Sequence, residues 1–260
     1  MNNMKRLIIL FALLPLMAVA QKPLIMADQM PNAIYFLPAP PDTASPAFQY
    51  DKAQYRWGLE QRNNPERRAI AVRDAVWSVE TICREFSVPF GMTISKETTP
   101  AIYEMLSVGL MTTDQVGKLP KNYYMRTRPY IFFGEPTIVP GDEEDLSHNG
   151  SYPSGHTILG WSAALLLSEI NPDRADTILA RGLMYGDSRL IVGAHWQSDV
   201  NAGRLAASAA YARLHTSERF LEQMRLARQE FRVKMGLATI VEMKAYRKEQ
   251  KKRAKLASVK

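Results

Sequence analysis

From Ser154 to Lys234 the chain is one helix-length apolar pattern after another, each with its own stop signal. The spacing predicts helices over Thr157–Ile170, ending before Asn171-Pro172, then from about Pro172 to Leu190, from Gln197 to Leu214 and from Thr216 to Lys234. Upstream, Asn64-Pro65 has the form of an N-cap followed by proline at the first helical position. It opens a helix expected to reach about Phe86, with Val72, Val76, Val79, Cys83 and Phe86 as its buried face. Thr99-Pro100 opens another, covering Ile102 to Leu110. A Gly- and Pro-rich loop from Gly134 through the acidic run Asp142–Asp145 follows Arg128-Pro129, and a polar helix or frayed tail is expected beyond Gly236. No run alternates with the period of a strand, and the sequence has neither an internal repeat nor a phosphate loop of the P-loop type. The expectation is an all-α fold in one domain.

The two ends depart from this pattern. Lys5 and Arg6 precede a 13-residue apolar run, Leu7–Val19, and Ala18-Val19-Ala20 supplies a small-x-small cleavage site. Residues 1–20 are therefore expected to be a signal peptide cut after Ala20, which places the mature protein in the periplasm. The run is short for a bilayer and is interrupted by Pro15, and no later segment approaches 18 apolar residues, so no transmembrane segment is expected in the mature chain. Residues 21–50 carry Pro23, Pro31, Pro38, Pro40, Pro41 and Pro46 and are expected to form an extended arm on a helical body spanning 51–242.

Charge matters mainly for what it excludes. The chain has 33 Lys+Arg against 26 Asp+Glu, a net charge of +7. The last 18 residues, 243–260, hold eight basic residues and one acidic. Without that basic tail and the first 20 residues, 23 basic residues face 25 acidic ones, so no specific nucleic-acid partner is expected of the body. Cys83 is the lone cysteine, which excludes an internal disulfide and a cysteine metal cluster; a buried structural thiol is the expected role.

Three segments collect polar groups inside otherwise apolar surroundings. KNYYMRTRP places Lys121 and Arg128 seven apart, with Arg126 between them. GSYPSGHT sets Ser154, Gly155 and His156 where a helix should start. SRLIVGAHWQSD contains Arg189, His195 and Asp199. A helix N-terminus offers unpaired N–H groups and a positive dipole end, so Ser154-Gly155-His156 can hold an anion; Ser154 is also simply a good helix cap. Guanidinium and ammonium groups suit phosphate. His195 and Asp199 are four apart and share a face if both are helical. There the carboxylate can accept a proton from one imidazole nitrogen and leave the other as a nucleophile, or the pair is merely structural. The chain lacks His-x3-His and His-Glu-x2-His spacing, and three nearby cations repel a divalent ion, so no metal is expected. His148 and His215 have no such company and are read as surface or loop residues.

Lys121, six residues and Arg128-Pro129, then Pro153-Ser154-Gly155-His156, then Ser188-Arg189, five residues, His195, three residues and Asp199 together resemble the tripartite signature of the type-2 phosphatidic acid phosphatase superfamily. Within it, GSYPSGHT, GAHWQSDV and the stretch FLPAPPDTASPAFQYDKAQYRWG resemble the bacterial class A non-specific acid phosphatases, over most of residues 34 to 214. The resemblance implies a helical bundle of the acid phosphatase / vanadium haloperoxidase type, commonly oligomeric, acting on small-molecule phosphomonoesters with no cofactor. It implies His195 as nucleophile through a phosphohistidine, Asp199 orienting it, and His156 as acid and then base. It further implies that Lys121, Arg128, Ser154, Gly155 and Arg189 hold the phosphate oxygens. A vanadate-dependent haloperoxidase on the same fold is the alternative.

Overall fold

The computed structural model describes residues 22–258, so the signal-peptide expectation for residues 1–20 lies outside the described residues. Thirteen α-helices run in chain order: α1 Ala33–Phe36, α2 Pro46–Gln61, α3 Pro65–Asp74, α4 Val79–Phe90, α5 Pro100–Thr113, α6 Lys118–Tyr124, α7 Pro129–Phe133, α8 Glu143–Ser147, α9 Gly155–Ile170, α10 Ala175–Val192, α11 Gln197–Leu214, α12 Glu218–Lys234 and α13 Ile240–Ser258. The described residues contain no strand, and the fold is all-α.

The helix starts follow their capping residues. Asn64, Ser78, Ser154 and Ser217 each accept a backbone N–H with the side chain, at Arg67, Thr81, Thr157 and Phe220 respectively, and Pro65 and Pro100 occupy first-turn positions. The buried centre is α9, which packs on α10, α11 and α5 and is apolar nearly all round: Ile158, Leu159, Ala163, Ala164, Leu166, Leu167 and Ile170 are all buried. Gly160 permits the closest part of that packing, because a β-carbon there would stand 2.5 Å from the Tyr185 ring of α10. Any side chain at 160 would push apart the two helices that carry two of the three polar segments.

The structure differs from the sequence reading in three places. The helix expected from Asn64 to Phe86 is two helices, α3 and α4, separated at Ala75–Ser78. Ser78 starts the second, and Val76, expected on the buried face, is 51% exposed, whereas Cys83 is buried as expected. Burial pushes the Cys83 thiol up to about 12. The second difference lies in the proline-rich stretch: Ser45 and Pro46 cap and open α2, which runs through residue 50 to Gln61. Before it, Leu24, Ile25, Met30, Ala33 and Leu37 are buried in the main core, with the Leu24 N–H donating to Thr112 Oγ1 at 2.9 Å. Third, the acidic run expected in a loop opens α8, Glu143–Ser147, whereas beyond Gly236 the helical one of the two expected alternatives is present as α13, packed on α12. There Tyr246 donates to Glu230 at 3.3 Å and Arg232 pairs with Glu242 at 2.9 Å.

Candidate active site

The turn after α6 delivers the first polar segment. Lys121 sits in the last turn of α6, and Met125 adopts a left-handed conformation (φ 40°) that ends the helix. Arg128 is extended, as a residue before proline must be, and is only 2% exposed. The Lys121 ammonium donates to the carbonyls of Gly150 (3.0 Å) and Pro153 (2.9 Å). Its burial, with Arg128 adding to the effect, brings its pKa down to about 7. The Arg128 guanidinium donates to the carbonyls of Leu146 (2.8 Å) and Ala194 (3.0 Å) and lies 3.1 Å from His195 Nε2.

The second segment is the N-terminus of α9. Ser154 Oγ accepts from the Thr157 N–H (3.3 Å) and the Thr157 hydroxyl (2.9 Å), so it is the cap, with its own hydroxyl proton still available for donation. Gly155 opens the helix beneath the Trp77 ring, where its N–H is among the first-turn donors that a helix cannot satisfy internally. His156 Nε2 stands 2.9 Å from the Ala75 carbonyl. A carbonyl only accepts, so Nε2 carries the hydrogen and Nδ1 is the nitrogen able to exchange a proton. The Trp77 ring meets this imidazole edge-on at 4.8 Å. The break between α3 and α4 thus has a purpose that the apolar spacing hid, since it supplies both the carbonyl and the indole that seat His156.

The third segment spans the end of α10 and the start of α11. Gly193, at φ 87°, ends α10 shortly after Arg189 in a backbone region that L side chains rarely adopt. His195 precedes α11 and is not on its face, so the expected helical pairing with Asp199 arises differently. Asp199, in the first turn, folds back to accept the Trp196 N–H at 2.9 Å with Oδ2, and the same oxygen lies 3.3 Å from His195 Nδ1. That contact fixes the His195 tautomer and leaves Nε2 bare beside Arg128.

Arg189 is the most telling residue. It is 0% exposed, and among the described residues none of its three guanidinium nitrogens has a hydrogen-bond partner. Burial, then Arg128, brings its pKa down to about 10. An uncompensated buried cation costs several kcal/mol, so such a group is matched to an anion that completes it. The same charges act on the histidines. Burial, then Arg189, holds His156 well below the usual histidine range, while burial, then Arg128 and Lys121, does the same to His195. Trp77, Lys121, Arg128, Gly155, His156 and His195 line a cleft of about 420 Å³. Ser154, Arg189 and Asp199 are fully buried and do not reach its lining. His148 is exposed beside Glu144, and His215 pairs with Glu169 away from the cleft. Among the described residues no group of three or more His, Cys, Asp or Glu side chains is arranged to hold a metal ion.

Two residues given no role in the sequence reading of the site complete it, Arg126, which is named there, and Asp51, which is not. Arg126 donates to Asp199 Oδ1 (2.5 Å) and Ser198 Oγ (2.7 Å) with one nitrogen and to Asp51 Oδ2 (2.7 Å) with another. Asp51, on α2 and 1% exposed, also accepts the Ser198 N–H (2.8 Å) and hydroxyl (2.6 Å). The carboxylate behind His195 is therefore held by a buried arginine that is itself held by a second buried carboxylate. Arg126 was visible between Lys121 and Arg128, but Asp51 lies 75 residues from it and carries no local signal.

Residues 101–220 match the family model of the PAP2 superfamily. The chain is 42% identical to a non-specific acid phosphatase of Providencia stuartii over 205 residues, covering 78% of this chain and 82% of the relative. It is 42% identical to a non-specific acid phosphatase of Salmonella typhimurium over 218 residues (83% and 86%). An acid phosphatase of Zymomonas mobilis is 37% identical over 200 residues (76% and 75%).

Proposed function

Since this chain belongs to the PAP2 superfamily and is one of its acid phosphatases, we propose that it hydrolyses phosphomonoesters through a phosphohistidine on His195, without a metal. The observation that carries the reading is the wholly buried Arg189 guanidinium, unpartnered among the described residues, its pKa lowered by burial and then by Arg128, and itself lowering both histidines.

The phosphate enters beside Lys121, Arg128 and the Gly155 N–H at the cleft, and its arrival draws the buried Arg189 guanidinium and Ser154 hydroxyl behind them into contact with it. A phosphomonoester carries between about one and two negative charges, which offsets the three cations and removes the repulsion that keeps the histidines neutral. His195 Nε2 attacks phosphorus, the P–O ester bond breaks, and His156 Nδ1 gives its proton to the departing oxygen. A water then attacks the phosphohistidine and loses its proton to His156. The N–P bond breaks, releasing inorganic phosphate and bare Nε2. Asp199 stabilises the positive charge that develops on the His195 ring, and Arg126 with Asp51 keeps Asp199 in place. The cations stabilise the equatorial oxygens, the work that metal ions do elsewhere.

His156 gains basicity only as the substrate's charge arrives, so the acidic preference belongs to the complex and not to the free protein. We also propose export to the periplasm through residues 1–20; among the described residues no helix is long and apolar enough to cross a membrane. Hydrolysis of p-nitrophenyl phosphate after exhaustive EDTA dialysis tests the metal-free reading. Full activity is expected, with inhibition by vanadate, a mimic of the five-coordinate phosphorus. Loss of activity restored by zinc or magnesium overturns it.

A further inference from the structure

The basic C-terminal segment plays no part in the chemistry above, yet it is a shaped surface. Helix α13 packs on α12, with Tyr246 donating to Glu230 and Met243 and Arg253 half-buried, and its two acids turn to ion pairs, Glu242 with Arg232 at 2.9 Å and Glu249 with Arg253 at 3.5 Å. The opposite face is exposed. Ile240, Lys244, Arg247 and Lys251 follow one another at intervals of four, three and four residues, and Val241, Lys248 and Lys252 at seven and four, so they share one face of the helix. Five cations, with Lys255 seven residues beyond Lys248 as a sixth, therefore line that face without an acid among them. At its N-terminal end Ile240 is 68% and Val241 76% exposed, next to a turn in which Leu237 is 53% exposed.

We propose that this face docks the enzyme on an anionic lipid bilayer, with the cations over the head groups and Ile240 and Val241 in the interfacial layer. Two features select a bilayer over a polynucleotide. The exposed apolar groups are aliphatic and sit on the same face as the charges, as in helices that lie in an interface. The face also has no aromatic ring for bases to stack on, since Tyr246 turns inward to Glu230. The body is slightly acidic, so an anionic surface attracts this face alone and orients the molecule. The docking is independent of the catalytic reading.

The test is co-sedimentation of the full chain with vesicles of phosphatidylglycerol and phosphatidylcholine, against phosphatidylcholine alone. Binding is expected only to the mixed vesicles, and it should collapse as salt rises from about 0.1 M to about 1 M, where the screening length falls from about 10 Å to about 3 Å. Each cation near an anionic leaflet strengthens binding by about fivefold, so the triple change Lys248→Glu, Lys251→Glu, Lys252→Glu should weaken it about 100-fold or more. The matching triple change to arginine should retain it. Ile240→Ser with Val241→Ser should cost about tenfold on vesicles and nothing on heparin. Hydrolysis of p-nitrophenyl phosphate should be unchanged throughout, which confirms the fold of each variant. Equal binding to both vesicle types, no loss on charge reversal, or heparin binding without vesicle binding overturns the proposal.

Discussion

At the cleft the half-buried Lys121 and the buried Arg128 and Arg189 come together, two of them donating only to neutral groups and the third having no partner among the described residues. On the α12–α13 hairpin the same residue types are exposed or answered locally, with Arg225 on Glu222 at 2.8 Å and Arg232 on Glu242 at 2.9 Å. The hairpin is what charge does when folding alone decides: it faces water or takes an acid within reach, each pair contributing a few tenths to about 1 kcal/mol. The cleft inverts every part of that. Its cations lose hydration, repel one another and depress both histidines, so without a counter-anion they destabilise this part of the fold. Only a ligand of opposite charge reverses the balance, and on the proposed function that ligand is phosphate, its affinity drawn from an energetic cost already present in the structure.

The strongest way to break this contrast is to remove the orphan cation. Arg189→Met should lower kcat/KM by about 10²–10³-fold, the scale for losing one preorganised donor to the transition state, while making the ligand-free protein no less stable or up to about 4 kcal/mol more stable. Thermal unfolding with and without phosphate measures both, and the ligand should protect the variant much less than the parent. A large fall in the stability of the ligand-free variant would show that Arg189 is satisfied in the resting protein.

Arg126 sharpens the contrast, because it is buried but doubly paired. Arg126→Met strands Asp51 and Asp199 and should cost about 3–5 kcal/mol of stability. Denaturant unfolding of Arg126→Met beside Arg189→Met should move in opposite directions, and movement in the same direction would erase the distinction between a structural and a substrate-matched arginine.

Lys121 adds a pH axis. Its pKa in the fold is lowered to about 7, so above that value the site loses a charge, and kcat/KM should fall about tenfold per pH unit. Between about pH 7 and the normal lysine range the unfolded chain binds the extra proton, so the stability of the free protein should rise over the same window. Lys121→Arg, which keeps the charge, should extend activity to higher pH. A profile of kcat/KM that ignores both the pH and the substitution would remove Lys121 from the site.

The smallest effect belongs to the hairpin. Arg232→Ala should change stability by no more than about 1 kcal/mol and leave steady-state hydrolysis untouched.

The parts legible in the sequence were those with local physical causes. Pro65 and Pro100 announced helix starts because proline suits only the first turn, and Gln197–Leu214 was bounded correctly by its apolar spacing. The break at Ala75–Ser78 was hidden because Val72, Val76 and Val79 keep a helical interval across it, and the reason for the break, the seat for His156, lies 81 residues away. Helix α2 was obscured by the prolines before it, although Ser45-Pro46 has the same form as Asn64-Pro65. In the site, the order of Lys121, Arg128, His156, Arg189 and His195 was readable, but which arginine is orphaned and which is clamped depends on partners such as Asp51 that only the fold brings near.

The central claim is that His195 takes the phosphoryl group and His156 moves the proton. Rapid quench of the enzyme with phosphorus-labelled substrate, followed by mapping of acid-labile label, tests it directly. The account predicts label on His195 and none in His195→Ala. In His156→Ala it predicts that label accumulates with p-nitrophenyl phosphate, whose leaving group needs no proton, while turnover of glycerol phosphate falls further, by about 10²–10⁴-fold. Label on His156, or no covalent label while turnover proceeds, contradicts it.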